Sequence, residues 1–393
     1  MREIYYFQTE YDMLKKLEEI EGPIVFPPYI IDYEGSLYEK LDMLSIVSRL
    51  RHIKQLGLTS TFWGARNAKN SRYDHSLSVA TKVDHISQTY GLDDQRDAAV
   101  IAAMLHDAAT TPLSDSVGSV KGLGDEENFE RVIERCPELD KLLKEYSVSK
   151  KDLVRIVKGE DKRPVGQLIN GGKIVDVDRF CYVNDDARRL CGLPSLWMGN
   201  YVADPFKSFA IRKGRIAFKD IDSVRQLLEA RIKMFENYYK NSSLSAKESF
   251  LNKVTEELLE KQTITKDSIF DMTDYDFERI IRKNCGELGE RIFGDGGFEC
   301  YGTTDAGEKE VSDYLDHLTK KPFVVKRGKS IKPATETPLI INGEIKAYRE
   351  WEPFHSKILE SRASLLNRTN IFGYDEDGEL REAAHKTISK FGC

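Results

Sequence analysis

Apolar positions recur every three or four residues across most of the chain between residues 41 and 290, and this period predicts helices. The segment LDMLSIVSRLRHIKQLG places Leu41, Leu44, Ile46, Val47, Leu50, Ile53 and Leu56 at that spacing and stops at Gly57. A polar loop, GARNAKNSRYD, follows. It leads into a helix expected to start near His75 and to end before Gly91, and then into a buried, alanine-rich helix over 94–107. TTPLSDSVGSVKGLG, with Pro112 and several glycines, reads as a loop. Helical spacing returns over 126–147, 149–158 and 176–191. Residues 221–262 read as one or two long amphipathic helices, and DFERIIRKNCGELGERIF as another. The first forty residues mix a short amphipathic helix (YDMLKKLEEI) with an extended stretch around IVFPPYIIDYEGS.

After about residue 295 the pattern shifts toward β-branched and aromatic residues, in KPFVVKRG and PLIINGEIKAYREW. Within the second, Asn342-Gly343 is a hairpin signal. The expected fold is mainly α. It comprises an N-terminal extension over 1–40, a helical lobe over 41–290 and a small α+β lobe over 291–393.

Composition narrows the class. With 393 residues, 40% hydrophobic and 32% charged, the chain is globular and long enough for more than one core. A net charge of −6 argues against a general nucleic-acid coat but leaves room for one basic pocket. No apolar run reaches the roughly 18 residues that span a bilayer, so no membrane partner is expected. The N-terminus is too acidic and interrupted for a signal peptide, and the six scattered cysteines fit reduced thiols, so a cytoplasmic location is expected.

The chemistry gathers around His106 and Asp107, at the end of the apolar run AAVIAAMLHD. His75 lies upstream in NSRYDHSLSVA and Asp178 downstream in KIVDVDRFCY. Two imidazoles and two carboxylates suit a first-row divalent metal with positions left for water and a phosphate oxygen. Such a metal acidifies a bound water and polarises a phosphoryl group. Its identity (Mn, Fe, Co, Ni, Zn or Mg) is not fixed by these ligand types.

The order R-x-x-H … H-D … D-x-D-R-x-x-Y resembles the HD-domain phosphohydrolases. Within them it resembles the branch of bacterial dGTP triphosphohydrolases and the sterile-alpha-motif/HD-domain dNTP triphosphohydrolase. RLRHIKQLG, NSRYDHSLSVA, AAMLHDAATTPLSD, VDVDRFCYVNDD and EARIKMFENYY carry the likeness, over about 50–240. The resemblance implies an HD-domain helical core. It makes His75, His106, Asp107 and Asp178 the metal ligands, and Arg72, Arg179 and Arg231 the phosphate contacts. It puts Gln55 and Leu56 along the nucleoside, Tyr182 and Asp186 at the sugar, and Tyr239 near the base and sugar. The implied activity is metal-dependent hydrolysis of a deoxynucleotide by attack of a metal-activated water at phosphorus. The implied assembly is a homodimer or higher homo-oligomer.

The sequence departs from the branch where further histidines stand: here these positions are Thr110, Asp115, Asp125 and Asn241. A histidine-to-aspartate change reverses the local charge. At ~4 Å and an effective dielectric of about 20, a unit charge pair is worth about 4 kcal/mol, against an anionic substrate. Either Asp115 or Asp125 serves as general acid or base, or the pocket takes a substrate with fewer phosphates. A nucleoside monophosphatase or a phosphodiesterase fits the second case. A nucleotide-binding protein without turnover is a third reading.

Among other candidates, His52 and His85 read as structural or surface residues, and His317, His355 and His385 as surface ones. GDGGFECYG lacks the Lys-Ser/Thr ending of a phosphate loop and reads as a turn. The basic run KKPFVVKRGKSIK could touch nucleic acid or an effector nucleotide, but a lysine-guarded edge strand is the commoner reading. Trp63 and Trp351 fit either a core or an interface.

Overall fold

A computed structural model describes residues 35–62, 70–191, 204–294, 297–328, 331–374 and 378–391. The fold is mainly α-helical, with a few strands in its C-terminal part. The elements expected before residue 35 and the loop carrying Trp63 lie outside the described residues.

The first amphipathic stretch is broken rather than continuous. It forms α1 (Leu37–Asp42), α2 (Ser45–Arg49) and a 3-10 turn (Leu50–His52), with Leu44 extended between the first two. Each turn of chain direction sends another apolar residue inward, so Leu41, Leu44, Val47, Leu50 and Ile53 are all buried. After α3 (Leu58–Phe62) comes the central helix α4 (Arg72–Thr89). It starts three residues earlier than its apolar period indicates, because Ser71 and Asp74 form a capping box that orders the polar first turn. It packs along α5 (Arg96–Leu105), whose Ala99, Ala102 and Ala103 are fully buried and let the two backbones approach closely.

Beyond the short helix α6 (Asp115–Gly118), the predicted helix over 126–147 is two. These are α7 (Asp125–Glu134) and α8 (Pro137–Glu145), divided where Pro137 removes an amide donor. Then come α9 (Lys150–Val157), α10 (Pro164–Ile169) and α11 (Val177–Cys191). The hairpin β1 (Phe209–Arg212) and β2 (Arg215–Phe218) turns through Lys213-Gly214, both at positive φ, and was not anticipated. Next are α12 (Ile221–Met234), a π turn (Phe235–Tyr239) and α13 (Ser242–Glu260), so 221–262 is two helices. After α14 (Lys266–Ile269), α15 (Asp274–Phe293) is kinked at Gly286, which takes φ 52°.

The C-terminal elements are β3 (Glu299–Thr304), α16 (Glu308–Leu318), β4 (Phe323–Arg327), β5 (Pro338–Ile341), β6 (Glu344–Ala347), α17 (Tyr348–Trp351), α18 (Pro353–Leu365), β7 (Thr369–Gly373) and α19 (Glu379–Phe391). β5 and β6 form the hairpin read from Asn342-Gly343, with φ of 52° and 82° at the turn. They extend the β1–β2 hairpin into a four-stranded sheet through a parallel contact, Phe218 with Leu339. The other sheet is antiparallel in the order β3-β7-β4, which leaves β4 at an edge. One face of it packs Tyr301, Ile371 and Val325 against α16 and α19. Its other face turns toward α13 and the main core. Among the described residues, no helix is long and apolar enough to cross a membrane.

Candidate metal centre

Three elements deliver the central cluster. His75 comes from the buried face of α4, His106 caps α5 at its C-terminus, and Asp178 lies in the first turn of α11. His75 Nε2 is 2.9 Å from Asp178 Oδ1, and His106 Nε2 is 3.8 Å from the same oxygen. The ligand-capable atoms of the three residues lie within 4.8 Å of one another. His106 Nδ1 donates to the Ala103 carbonyl at 2.7 Å, which turns Nε2 toward the cluster. That Nε2 is buried and has no hydrogen-bond partner.

Asp107 closes the group from the side. Its Oδ2 is 3.7 Å from His106 Nε2 and 4.0 Å from His75 Nε2. Both of its oxygens also accept from Arg72 Nη1, at 3.1 and 3.0 Å. Thr110 Oγ1 donates to Asp107 Oδ1 at 3.3 Å. Thr110, where the resembled branch has a histidine, is therefore a second support for this carboxylate.

The charge balance at the cluster suits a cation. Burial alone would lower the pKa of His106, but the Asp107 and Asp178 carboxylates outweigh it and push the imidazole up to about 9. Burial alone would raise Asp178, but His106 and His75 beside it, the second in a hydrogen bond, hold it well below the usual carboxylate range. A bound proton thus stands where two carboxylates converge. Two imidazole nitrogens and carboxylate oxygens are suitable donors for a divalent cation in its place, so the residues fit a metal. The donor types leave the identity of the metal open.

The cluster opens into a cavity of about 820 Å³. Every predicted site residue except His75 lines it: Gln55, Leu56, Arg72, His106, Asp107, Asp115, Asp125, Asp178, Arg179, Tyr182, Asp186, Arg231 and Tyr239. His75 lies behind this surface, with a side chain 1% exposed.

The arginines are already oriented. Burial would lower the Arg72 pKa, but Asp107 and Asp115 raise it above its ordinary value, so the guanidinium is permanently charged. Its Nε donates to Ser114 Oγ at 3.0 Å and its Nη2 faces Asp115 Oδ2 at 3.3 Å. Arg179 donates to the Ile174 and Gly172 carbonyls and pairs with Asp176. Arg231 Nε donates to Tyr182 Oη at 2.6 Å, and its Nη1 to the Lys332 carbonyl, also at 2.6 Å. Tyr239 Oη donates to Asp186 Oδ2 at 2.6 Å.

Asp115 and Asp125 differ sharply. The Asp115 side chain is 93% exposed, at the start of α6. Asp125, at the first position of α7, is half-buried, and burial together with the Asp107 and Asp115 charges pushes its carboxyl up to about 6. Asn241 serves locally: it caps α13 by accepting from Ser243 N and Leu244 N.

Sequence reading missed several contributors. Asp176 accepts from Arg179 N and Gly171 N at 2.9 Å each and so starts α11; the D-x-D-R spacing held that signal. Lys326 and Arg327, from the basic run, lie in the cavity wall, and β4 is also the edge strand that run was read as. Cys300, from GDGGFECYG, sits in β3 and lines the same wall. His355 is not a surface residue. It is half-buried, with Nδ1 2.6 Å from Tyr348 Oη and Nε2 2.9 Å from Glu229.

Residues 72–183 match the HD domain family. The match begins at Arg72 and includes His75, His106, Asp107 and Asp178. The uncharacterized protein YwfO of Bacillus subtilis is 35% identical over 149 residues, 35% of this chain and 33% of that protein. The aligned stretch thus spans about a third of the length of that curated relative. A hypothetical protein from Aquifex aeolicus superposes with a TM-score of 0.70 at 20% identity, covering 90% of this chain and 96% of the other. A phosphohydrolase from Bacteroides thetaiotaomicron superposes with a TM-score of 0.68 at 17% identity, covering 87% and 96%. At these identities the superpositions show a shared fold.

Proposed function

We propose that the chain is a metal-dependent phosphohydrolase acting on a deoxynucleotide, in the manner of a dNTP triphosphohydrolase. The observation that carries this reading is the His75–His106–Asp178 cluster, set at a cavity that also presents Arg72, Arg179, Arg231, Tyr182, Tyr239 and Asp186. Held by His75, His106 and Asp178, with Asp107 beside them, a divalent cation would supply Lewis acidity toward a phosphoryl oxygen and toward water.

The chain's own groups do the rest. Arg72, pinned by Asp107 and Ser114, presents fixed positive charge to a phosphate oxygen. Arg231, braced by Tyr182, presents a second. The Asp186–Tyr239 pair offers an acceptor and a phenol to a sugar hydroxyl and a base. Asp125, with its carboxyl near 6, can hold a proton for a leaving oxygen at near-neutral pH.

A specific observation favours a second reading. Asp115, Asp125 and Glu126 all line the cavity, and they oppose a polyphosphate chain laid beside them. A monoesterase or a phosphodiesterase on the same cluster avoids that repulsion.

Incubation of the purified protein with Mn²⁺, Co²⁺ or Mg²⁺ and a panel of dNTPs, NMPs and a generic phosphodiester tests both readings. Release of tripolyphosphate supports the first, and turnover confined to NMPs or the diester supports the second. No turnover despite stoichiometric metal by elemental analysis leaves a nucleotide-binding protein and sinks both. His106→Ala and Asp107→Ala are expected to lose metal and activity together.

A further inference from the structure

The cavity wall is lopsided in charge. The residues that line it from position 300 onward include Lys326, Arg327, Lys332 and Arg368 and no carboxylate. The carboxylates that line it, from Asp107 to Glu248, all belong to the helical part. Two of these cations, Lys326 and Arg327, are set on a sheet with a defined register. Thr303 on β3, Asn370 on β7 and Lys326 on β4 are paired neighbours, forming one row across the three strands. This row lies on the cavity face, while Tyr301, Ile371 and Val325 point the other way into the helices behind. Asn370 is locked, its Nδ2 donating to the Arg368 carbonyl at 2.8 Å.

Lys326 is half-buried, and among the described residues its ammonium has no ion-pair or hydrogen-bond partner. An inward lysine can guard an edge strand against pairing. That role accounts for Lys326 alone. It does not account for Lys332 and Arg368, which arrive from loops outside β4 at the same wall. Arg368 is partly committed, with Nε 3.1 Å from Asp305, and Arg327 Nε donates to the Asn367 carbonyl. Lys326 is therefore the cation on the sheet most open to a ligand. The wall is tied to the nucleotide side of the cavity by the hydrogen bond from Arg231 to the Lys332 carbonyl.

We infer that this wall is a second phosphate subsite. Resting on the second reading above, a monoesterase or phosphodiesterase on the same cluster, it assigns the substrate class: a nucleotide or short oligonucleotide with a phosphate remote from the one at the metal cluster. The carboxylates near the cluster disfavour phosphates adjacent to the scissile one. The sheet wall rewards a phosphate set apart from it, with the sugar and base between. The inference adds a binding group and no new chemical step.

A thymidine dinucleotide with and without a 5′-phosphate isolates the contribution of one phosphate. Binding of each to the 393-residue chain is measured by calorimetry in EDTA, where no metal-dependent hydrolysis occurs. The phosphorylated form is expected to bind about tenfold more tightly, with the difference shrinking at high salt. Lys326→Ala should erase that difference while leaving the unphosphorylated form unaffected, and Lys326→Arg should restore it. Equal affinities in the unmodified chain, or an equal loss for both forms in Lys326→Ala, overturn the subsite. So does a stoichiometry of two dinucleotides per chain, which would mean that the wall serves a second molecule. Turnover of the same pair with Mn²⁺ is scored separately. Absent turnover with the binding difference intact sinks the phosphodiesterase reading and leaves the subsite standing.

Discussion

Asp125 concentrates the tension between stability and function in one side chain. Its carboxyl is held near 6 rather than at the ordinary 3.8, by burial and by the neighbouring Asp107 and Asp115 charges. The folded chain therefore binds this proton more tightly than the unfolded chain. Its contribution to stability is present in full at low pH and is lost as pH rises from about 4 through about 6. At neutral pH the ionised group opposes folding by up to about 3 kcal/mol, at 1.36 kcal/mol per unit, and by less to the extent that solvent in the cavity screens it. Asp125→Asn is expected to raise the thermal midpoint of the metal-free chain by several degrees at pH 7.5 and to leave it unchanged at pH 4, measured by calorimetry. The same variant should lose about 10²- to 10⁴-fold in turnover, together with the limb of the pH–rate profile near 6, as expected for a lost general acid or base. A variant that gained no stability at pH 7.5 would show that its carboxyl is not held up. At this scale the sequence was informative where chemistry is carried by residue type. His75, His106, Asp107, Asp178 and Arg72 were legible because few other residues do what they do. The tuning of Asp125 was not, since it depends on which charges surround it in space.

At the scale of elements, the loop that follows His106-Asp107 is shaped by contacts from far along the chain. Leu113 and Ser114 both take positive φ, 56° and 53°, which non-glycine residues adopt only where their surroundings require it. Leu113 N donates to Asp274 Oδ1 at 2.7 Å, and Lys54 N donates to Asp274 Oδ2 at 2.9 Å. Gly57, at φ 49°, passes so close that a Cβ there would lie 2.1 Å from the Leu113 carbonyl oxygen. Arg49 donates to the Ala108, Thr110 and Met272 carbonyls and ties the same loop to the start of α15. Asp274→Ala strands two backbone amides, at about 1–3 kcal/mol each where they stay buried, and Asp274→Asn should cost less because it retains an acceptor. Gly57→Ala should destabilise by about 2 kcal/mol or more, since both its φ and the space forbid a side chain. Urea titrations order these variants; if Gly57→Ala were neutral, the close approach would be disproved. Periodicity located the helices well but not their breaks. Pro137 carries a break signal that the period over 126–147 runs through, whereas Leu44, the π turn at 235–239 and the β1–β2 hairpin have no such signal in the helical period.

For the whole molecule, the cavity is a product of topology. Its walls come from residue 55 on one side of the sequence and residue 372 on the other, and the main core is likewise shared between residues 37 and 372. The one-dimensional pattern shows β4 as an edge strand but neither β3, read as a turn, nor β7, nor that the basic strand faces the metal cluster's cavity, because that juxtaposition is set by β7 pairing between β3 and β4. A consequence concerns stability. The cluster joins α4, α5 and α11, so a cation bound there crosslinks the central helices and is absent from the unfolded chain. A ligand of the folded state at a hundred times its dissociation constant stabilises by about 2.7 kcal/mol. Mn²⁺ or Co²⁺ at that excess should therefore raise the thermal midpoint by several degrees, and EDTA should reverse the shift. His75→Ala and His106→Ala should abolish it. Asp125→Asn, which touches no ligand, should keep it in full on top of its own gain. Equal metal shifts in the unmodified chain and in His106→Ala would place the cation elsewhere and remove the basis for the proposed chemistry.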